Sequence, residues 1–225
     1  MSSAALLAVT GLEREARLIA RPDIQIVMSG GDGKALETRM RDALAKGSLQ
    51  VLSIGICGAL GPEIEVGDSI VATEIVSNGE RFATDRGWTQ KLLASAPGAR
   101  SAPLAGIDTI LADPREKTRL YRATNAAAAD MESHIAARVA RDFGLPFAAF
   151  RVVSDSAHRA LPPAVLVAMK PDGGVDAAAV MRSLTSKPSQ IPALIRTAWE
   201  AEKAFRVLFR CRHVLDPALA GVDIR

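Results

Sequence analysis

The chain has 225 residues, a length that one α/β domain with a single core can use completely. With 48% hydrophobic and 24% charged residues, the composition is typical of a globular protein and excludes an intrinsically disordered one. The formal charge of +3 suggests affinity for anionic surfaces rather than a module that reads nucleic-acid sequence. Aromatic residues make up only 4%, which disfavours a stacking surface for single-stranded nucleic acid, so no nucleic-acid partner is expected.

The two cysteines and the apolar residues at the N-terminal end indicate the cellular compartment of the protein. Cys57 and Cys211 lie far apart, which disfavours a disulfide framework and indicates a reducing, cytoplasmic compartment. The apolar run 1–9 has no basic start and no small-residue cleavage site, so a strand is predicted there rather than a signal peptide. The histidines and cysteines show no metal-ligand spacing, so neither a metal nor another cofactor is expected.

Apolar runs alternate with helical periodicity in the first half of the chain. The predicted elements are a strand at 4–10, a helix at 12–20, a strand at 24–29, a helix at 34–46, and strands at 51–55 and 68–76. Two glycine-rich segments, 29–33 and 55–61, are predicted to be turns that bring backbone amides close to a ligand, and tight turns without a ligand are the alternative. Segment 78–88 is predicted to be irregular, and a helix follows it to about residue 96.

The second half continues the alternation after an apolar run at 104–111. The predicted elements are a helix opened by Asp113-Pro114, a strand at 126–131, a helix at 132–143, a strand at 146–154, turns at 162–163 and 171–174, and a closing helix from 188 to about 215. No linker interrupts this order. The pattern therefore predicts one domain over 1–225 with a three-layer α/β fold, in which helices cover a twisted mixed sheet.

A carboxylate follows one of the predicted buried strands. Asp155 comes directly after the run 146–154, at the carboxyl edge of the sheet, where α/β proteins bind ligands. Apolar surroundings would raise the pKa of Asp155 and let it donate a proton to a purine nitrogen. A helix N-cap is the alternative for this aspartate, and the spacing alone does not separate the two.

Two glutamates are predicted to reach the same edge. Glu132 follows Met131 at a junction of strand and helix, where it can accept hydrogen bonds from two ribose hydroxyls while the methionine packs on the sugar. Glu15 lies in the helix that begins after Gly11 and can orient a water molecule or bond a sugar hydroxyl. A first-turn glutamate favoured by the helix dipole and an ordinary amphipathic helix start are the respective alternatives.

The chain resembles the superfamily of purine nucleoside phosphorylases and methylthioadenosine/adenosylhomocysteine nucleosidases. The resemblance rests on GICGALGPEIEVGDSIVATEIV, ADMESHIAARVARDFGLPF and FRVVSDSA, which occur in the family's order and spacing across most of the chain. Within the superfamily, VMSGGDG, DMESHIAARVA and SDSAHRALPPA are most similar to the hopanoid-associated nucleoside phosphorylases. The resemblance implies a phosphorylase/hydrolase-like fold, a homo-oligomer, and cleavage of the N-glycosidic bond of a purine nucleoside.

The same resemblance implies a role for each residue of the candidate site. Asp155 is the acid at the purine with Ser154 beside it, Met131 and Glu132 bind the ribose, and Glu15 lies near the attacking water. Further substrate contacts are implied for Ile110, Leu111, Gly11, Ile56, Cys57 and Gly58, of which the first two line the base pocket.

The phosphate site departs from the family's pattern. Bacterial hexameric phosphorylases place an arginine on the first helix and a serine in the third-strand loop around phosphate, whereas this chain has Glu15 and Ile56. A carboxylate repels phosphate and an isoleucine offers it no hydrogen bond. Water is therefore the favoured acceptor, and phosphate is the alternative co-substrate if Arg14 or Arg17 turns inward.

The narrower resemblance implies adenosylhopane as the substrate and release of adenine in hopanoid side-chain biosynthesis. A polycyclic hydrocarbon at the ribose 5′ position needs an apolar exit and access to a bilayer. The closing helix carries Trp199, Phe205 and Leu208, which make it a candidate for peripheral contact with the inner membrane, and packing against the core is the alternative.

Two other functions are weighed against this substrate. One is a nucleosidase for a small soluble substrate such as methylthioadenosine. The other is a nucleoside- or lipid-binding protein without catalysis. The joint presence of Asp155, Glu132 and Glu15 argues against the binding protein, because binding alone requires no proton donor at the base.

Overall fold

The computed structural model describes residues 6–48, 50–170 and 172–216 of the chain. Within them, one mixed sheet of eight strands forms the centre of the molecule. The strands are β1 (Leu6–Thr10), β2 (Ile24–Met28), β3 (Gln50–Ala59), β4 (Ser69–Ser77), β5 (Glu80–Ala83), β6 (Arg100–Gly106), β7 (Ala128–Asp130) and β8 (Phe147–Asp155).

Helices cover the sheet and link its strands. They are α1 (Glu13–Ile19), α2 (Gly33–Leu44), α3 (Arg86–Ser95), α4 (Pro114–Thr124), α5 (Ser133–Asp142), α6 (Pro163–Leu166), α7 (Ala177–Ser186) and α8 (Ile191–Arg210). The predicted start of α4 is confirmed, because Pro114 occupies its first turn and the Asp113 carboxylate accepts a hydrogen bond from the Arg115 backbone N–H. None of the described helices is long and apolar enough to cross a bilayer.

The strand order brings the last strand into the middle of the sheet. β8 pairs in parallel with β3 along most of its length and antiparallel with β4. β4 continues to β6, β6 to β7, and β7 returns to the end of β3, so these five strands pair in a closed ring. β1 and β2 extend the sheet beyond β3 as parallel strands. The carboxyl ends of β1, β3 and β8 therefore point in one direction.

Both faces of the sheet are buried, which explains the uninterrupted apolar runs of its strands. In β1, Leu7 and Val9 belong to the core cluster that contains residues of α2 and α5. Leu6 and Ala8 belong to the opposite cluster, which contains residues of α1, α3 and α8. This arrangement confirms the predicted three-layer α/β fold. The prediction of one domain extends to residues outside the described ranges and stays a prediction.

Several observed elements differ from the predicted ones. Residues Gly55 to Ala59 continue β3 rather than forming a glycine-rich turn, because β8 runs alongside them and pairs with them through Gly58. Segment 78–88 contains β5, whose polar sequence is suited to the edge of a sheet. No element is predicted for 177–186, yet α7 forms there, and Asp176 caps it by accepting a hydrogen bond from the Ala179 N–H.

Candidate active site

The end of β8 turns two consecutive side chains toward one cavity. Cys57 of β3 pairs with Val153, whereas Gly58 pairs with Asp155, so Ser154 is an extra residue between the two pairs. In a regular strand, neighbouring side chains point to opposite faces, and a bulge interrupts that alternation. Ser154 and Asp155 consequently line the same cavity, with Ser154 Oγ 3.2 Å from Asp155 Oδ1.

The cavity has a volume of about 420 Å³ and lies at the carboxyl ends of β1, β3 and β8. Residues from distant parts of the chain meet there, as expected for parallel strands that end at one edge of a sheet. Every residue of the predicted site lines it, namely Asp155, Glu15, Glu132, Met131, Ser154, Ile110, Leu111, Gly11, Ile56, Cys57 and Gly58. The structure therefore brings the whole predicted set together, while the roles assigned to its members stay predictions.

Backbone amides hold the Glu15 carboxylate. Its Oε2 accepts hydrogen bonds from the N–H groups of Gly11 and Leu12, both at 2.8 Å, and its Oε1 accepts one from the Ile56 N–H at 2.7 Å. Burial raises the pKa of Glu15, although the nearby Arg151 charge and these hydrogen bonds oppose the rise. The carboxylate is consequently fixed in position rather than free on a helix surface.

A buried arginine that the sequence analysis did not single out lies among the carboxylates. Arg151 Nη2 donates hydrogen bonds to Asp130 Oδ1 at 2.8 Å and to Ser53 Oγ at 2.7 Å, and it lies 3.6 Å from Glu132 Oε2. Its side chain is completely buried within β8. An arginine inside an apolar strand was the available signal, because such a charge needs a buried counter-ion.

The Glu132 side chain does not cap α5. Glu132 precedes this helix, but its side chain makes no capping hydrogen bond. Asp130 does this instead, because its Oδ1 accepts from the N–H groups of Glu132 and Ser133 at 2.9 and 2.7 Å. Burial opposes ionisation of Asp130, but the charge of Arg151 and these hydrogen bonds outweigh it and lower the pKa of Asp130.

The Glu132 carboxyl group faces the cavity and carries a shifted pKa. Ser29 Oγ donates a hydrogen bond to its Oε1 at 2.7 Å. Burial raises the pKa of Glu132 to about 7, Arg151 works against that rise, and repulsion from Asp130 and Glu15 adds to it. The helix-dipole explanation of Glu132 is thus insufficient, because burial and neighbouring charges determine its state.

The surroundings of Asp155 differ from the expected apolar ones. Lys117 of α4 places its ammonium group against Asp155 Oδ2 and donates a second hydrogen bond to the Ser156 carbonyl oxygen at 2.8 Å. Asp155 is the last residue of β8, and the next helix starts only at Pro163, so the N-cap alternative is excluded. Lys117 was missed because the charged sequence of α4 is typical of an exposed helix.

Glycines leave room for two of the carboxylates. A Cβ atom on Gly11 would lie 2.8 Å from Glu132 Oε1, and one on Gly58 would lie 3.1 Å from both carboxylate oxygens of Asp155. Such a Cβ would force the acidic side chains away from their present positions. Glycine at these two positions therefore lets the backbone approach the acidic side chains closely.

The other end of the cavity, here called the apolar end, is built from helices and their connections. Its lining residues include Leu161, Val165, Ala168, Met169, Val175, Leu194, Ala198 and Phe205. Val175 is 69% exposed, so the apolar lining extends to the protein surface. A further set of apolar side chains is exposed on α6 to α8 and the segments that join them: Leu166, Val167, Met181, Ile191, Ile195 and Trp199.

Metal ligands are not grouped in the part of the chain that the structure describes. No set of three or more His, Cys, Asp or Glu side chains there is arranged to hold a metal ion. Burial raises the pKa of the Cys57 thiol well above its usual value, so Cys57 contacts the cavity as a neutral group.

Comparison with known proteins identifies the family. The family model of the phosphorylase superfamily matches residues 15–187. The chain belongs to the phosphorylase superfamily. A 5′-methylthioadenosine/S-adenosylhomocysteine nucleosidase of Shewanella halifaxensis is 26% identical over 179 residues, which cover 68% of this chain and 77% of that relative.

Solved structures share the fold of this phosphorylase-superfamily chain. The 5′-methylthioadenosine/S-adenosylhomocysteine nucleosidase of Helicobacter pylori has a TM-score of 0.61 at 16% identity, covering 92% of this chain and 96% of that one. Futalosine hydrolase of the same organism has a TM-score of 0.58 at 17% identity, covering 69% and 89%. The family match and the Shewanella relative confirm the prediction of an enzyme of the nucleosidase and phosphorylase kind, which cleaves an N-glycosidic bond.

Proposed function

We propose that this enzyme releases adenine from an adenine nucleoside, with Asp155 as the acid at the base and Glu15 beside the attacking water. The observation that carries the proposal is that Asp155, Glu132 and Glu15 line one cavity, although they come from distant parts of the chain. A transition state with positive charge on the ribose is stabilised by fixed carboxylates. A departing purine needs a proton. The three residues are suited to these tasks.

The ribose is proposed to lie between Met131 and the Glu132 carboxyl group. Glu132 Oε1 already accepts a hydrogen bond from Ser29, and its second oxygen is near Arg151. With a pKa of about 7, Glu132 is partly ionised at neutral pH and can accept hydrogen bonds from ribose hydroxyls. The thioether of Met131 supplies an adaptable apolar contact to the sugar ring.

Water is proposed as the acceptor rather than phosphate. Arg14 forms an exposed ion pair with Glu202, and Arg17 pairs with Glu13 on the surface of α1. Neither supplies the positive charge that an arginine of the first helix would offer phosphate. The Ile56 N–H is occupied by Glu15, and the Glu15 carboxylate repels an anion at that position.

A bulky apolar group at the ribose 5′ position, as in adenosylhopane, is the proposed substituent. The apolar end begins beside the carboxylates and reaches the surface at Val175, so a long hydrocarbon can leave the cavity there. The exposed apolar residues of α6 to α8 extend this path and support a transient contact with a membrane. Three residues of α8 were predicted to contact the membrane. Phe205 and Leu208 are buried, so Trp199 is the only one of the three that is exposed and available for this contact.

A small soluble substrate is the second candidate. Its support is the name of the Shewanella relative, a 5′-methylthioadenosine/S-adenosylhomocysteine nucleosidase. The cavity, with a volume of about 420 Å³, is also suited to a nucleoside that carries a short alkylthio group at the 5′ position.

The experiment measures adenine release from adenosine, from methylthioadenosine and from an adenosine that carries a bulky apolar 5′ group, each with and without phosphate. Faster release from the bulky substrate supports the lipid-linked assignment, and independence of phosphate supports water as acceptor. Preference for methylthioadenosine favours the second candidate. No release from any substrate contradicts the adenine-nucleoside proposal.

A variant pair locates the 5′ group. Val175→Asn places an amide at the surface end of the apolar path, and we expect it to reduce the preference for the bulky substrate several-fold while adenosine cleavage is unchanged. Met181→Gln, at an exposed residue outside the cavity lining, is the matched control. Equal rates for both variants on the bulky substrate would contradict the proposed path.

A homo-oligomer is also proposed, on the family resemblance. Sedimentation velocity of the purified protein over a range of concentrations tests it. A single monomeric species at all concentrations would reject the oligomer.

A further inference from the structure

Lys117 is the one fully buried residue of α4, all of whose residues are described. The other residues of the helix are exposed or half-buried, as its charged sequence predicts. The Lys117 side chain is only 2% exposed, and its ammonium group lies between Asp155 Oδ2 and the Ser156 carbonyl oxygen. It also lines the cavity that contains the carboxylates.

Stability alone is a weak reason for a lysine at this position. Removal of an ammonium group and a carboxylate from water costs free energy that their mutual attraction often fails to recover. An apolar residue on this face of α4 would pack against the neighbouring cluster of Leu60, Leu111 and Leu120 without that cost. A buried lysine that contacts a cavity-lining carboxylate instead indicates a role in the chemistry of the cavity.

We propose that Lys117 supplies the proton that Asp155 passes to the departing base. The inference rests on the proposed function. The Lys117 ammonium donates a hydrogen bond to Asp155 Oδ2, so a proton donor lies directly against this carboxyl group. One proton of the ammonium can move to Asp155 as the purine accumulates negative charge.

The bond between ribose C1′ and purine N9 breaks, and its electron pair stays with the purine. Purine N7 takes a proton from Asp155, and Asp155 takes one from Lys117, which becomes a neutral amine. The water oxygen bonds to C1′ while Glu15 accepts the proton of that water. After product release, the proton on Glu15 is exchanged through solvent and Lys117 is recharged.

Other ionisable groups around Asp155 are less suited to this role. Cys57 faces it from β3, and Arg159, Arg196 and Glu200 lie on its outer side, where Arg159 pairs with Glu200. Arginine does not release a proton in proteins. The remaining charged residues of the cavity, which are Glu15, Asp130, Glu132 and Arg151, form their own cluster around β3 and β8. Among the described residues, Lys117 is therefore the cation placed to protonate Asp155.

The test compares two variants on two leaving groups. Lys117→Met removes the charge and the proton, whereas Lys117→Arg keeps the charge but cannot release a proton. We expect both variants to lose about 10²-fold or more in adenine release. Both should keep most of their activity on p-nitrophenyl riboside, whose leaving group needs no proton. Retained activity on that substrate also shows that each variant is folded.

The pH profile adds an independent readout. A lysine ammonium keeps its proton well above neutral pH, whereas a lone carboxyl group loses it in acid. Lys117→Met should therefore move the alkaline limb of kcat/KM for adenine release to lower pH by at least about one unit. A merely structural role would lower the rate without moving the limb. The exposed Lys91→Met is the matched control and should leave both rates unchanged.

The outcomes separate the inference from the proposed function. Wild-type adenine release by Lys117→Arg would overturn proton delivery, because that variant cannot perform it. Equal losses of activity on the two substrates would also overturn proton delivery, because they would show that Lys117 has only a structural role. Failure of the wild-type protein to cleave any adenine nucleoside would overturn the proposed function and the inference together.

Discussion

The two ends of the cavity are built in different ways. Where the carboxylates lie, side chains project from strand ends and from the start of α1, and hydrogen bonds fix them. Glu15, for example, is held by three backbone N–H groups. The apolar end is built from α6, α8 and the segments beside them, and its side chains are held by packing. Reacting atoms need fixed positions, whereas an apolar wall can change shape at little cost. Under the proposed function, the carboxylate end carries the chemistry and the apolar end determines the choice of substrate.

The largest effect is expected at the carboxylate end. Asp155→Asn removes the proposed proton donor, so adenine release should fall by about 10²–10⁴-fold while a non-hydrolysable nucleoside analogue still binds. Turnover kinetics and calorimetric titration measure the two quantities. Asp42→Asn, an exposed change on α2, is the control. Retained turnover in Asp155→Asn would place the acid elsewhere.

The buried arginine gives the next largest effect. Arg151→Met leaves Asp130 and Glu132 without their counter-ion, so the free energy of unfolding should fall by about 3–5 kcal/mol. Urea unfolding measures it, with the exposed Arg122→Met as control. A loss below about 1 kcal/mol would mean that the carboxylates do not depend on this cation.

A smaller effect is expected from the titration of Glu132. Its pKa is about 7 in the folded protein and 4.5 as the ordinary value, so the folded state holds its proton more tightly. The stabilisation is complete below about pH 4.5 and is lost as pH rises through about 7, an effect on the order of 1–3 kcal/mol. Unfolding at several pH values should show this loss in the wild type and a flatter dependence in Glu132→Gln. An unchanged dependence would contradict the shifted pKa.

The smallest effect is expected on the surface of α8. Trp199 is 76% exposed, so Trp199→Ala should change the free energy of unfolding by less than about 0.5 kcal/mol. Leu208→Ala, which truncates a completely buried side chain of the same helix, sets the scale at about 2–5 kcal/mol. Binding to anionic vesicles should weaken in Trp199→Ala if the membrane proposal is correct. A large loss of stability would instead place Trp199 in a protein interface.

The carboxylate end was largely predictable from the sequence, for a physical reason. Asp155 ends β8 and Glu15 follows β1, and both strands are parallel to β3, so the carboxyl ends of these strands meet at one edge of the sheet. Glu132 follows β7, which is antiparallel to β3 and pairs with the end of β3 at Gly58 and Ala59. Lys117 was not predictable in this way, because the burial of one lysine on a charged helix depends on how that helix docks. The bulge at Ser154 also leaves no trace in the strand's own pattern, because its pairing partner determines it.

The apolar end was much less predictable. The sequence did not predict a helix at α7, and it predicted a turn at the start of α6 because of Pro162 and Pro163. Short helices have weak periodicity, so their existence depends on tertiary packing. The burial of apolar residues on α8 was equally hard to predict. The helix carries exposed Trp199 as well as buried Phe205 and Leu208, and which of them is buried depends on how α8 packs against the sheet.

The central position of β8 has a consequence for the order of folding. β8 is the last strand in the chain, yet it inserts between β3 and β4, and it carries both Arg151 and Asp155. During synthesis, the sheet therefore cannot close until β8 has been made, which happens after more than half of the chain has been synthesised. We expect recovery of activity and closure of the sheet to occur in the same kinetic phase of refolding, since no earlier intermediate contains the cation that gathers the carboxylates.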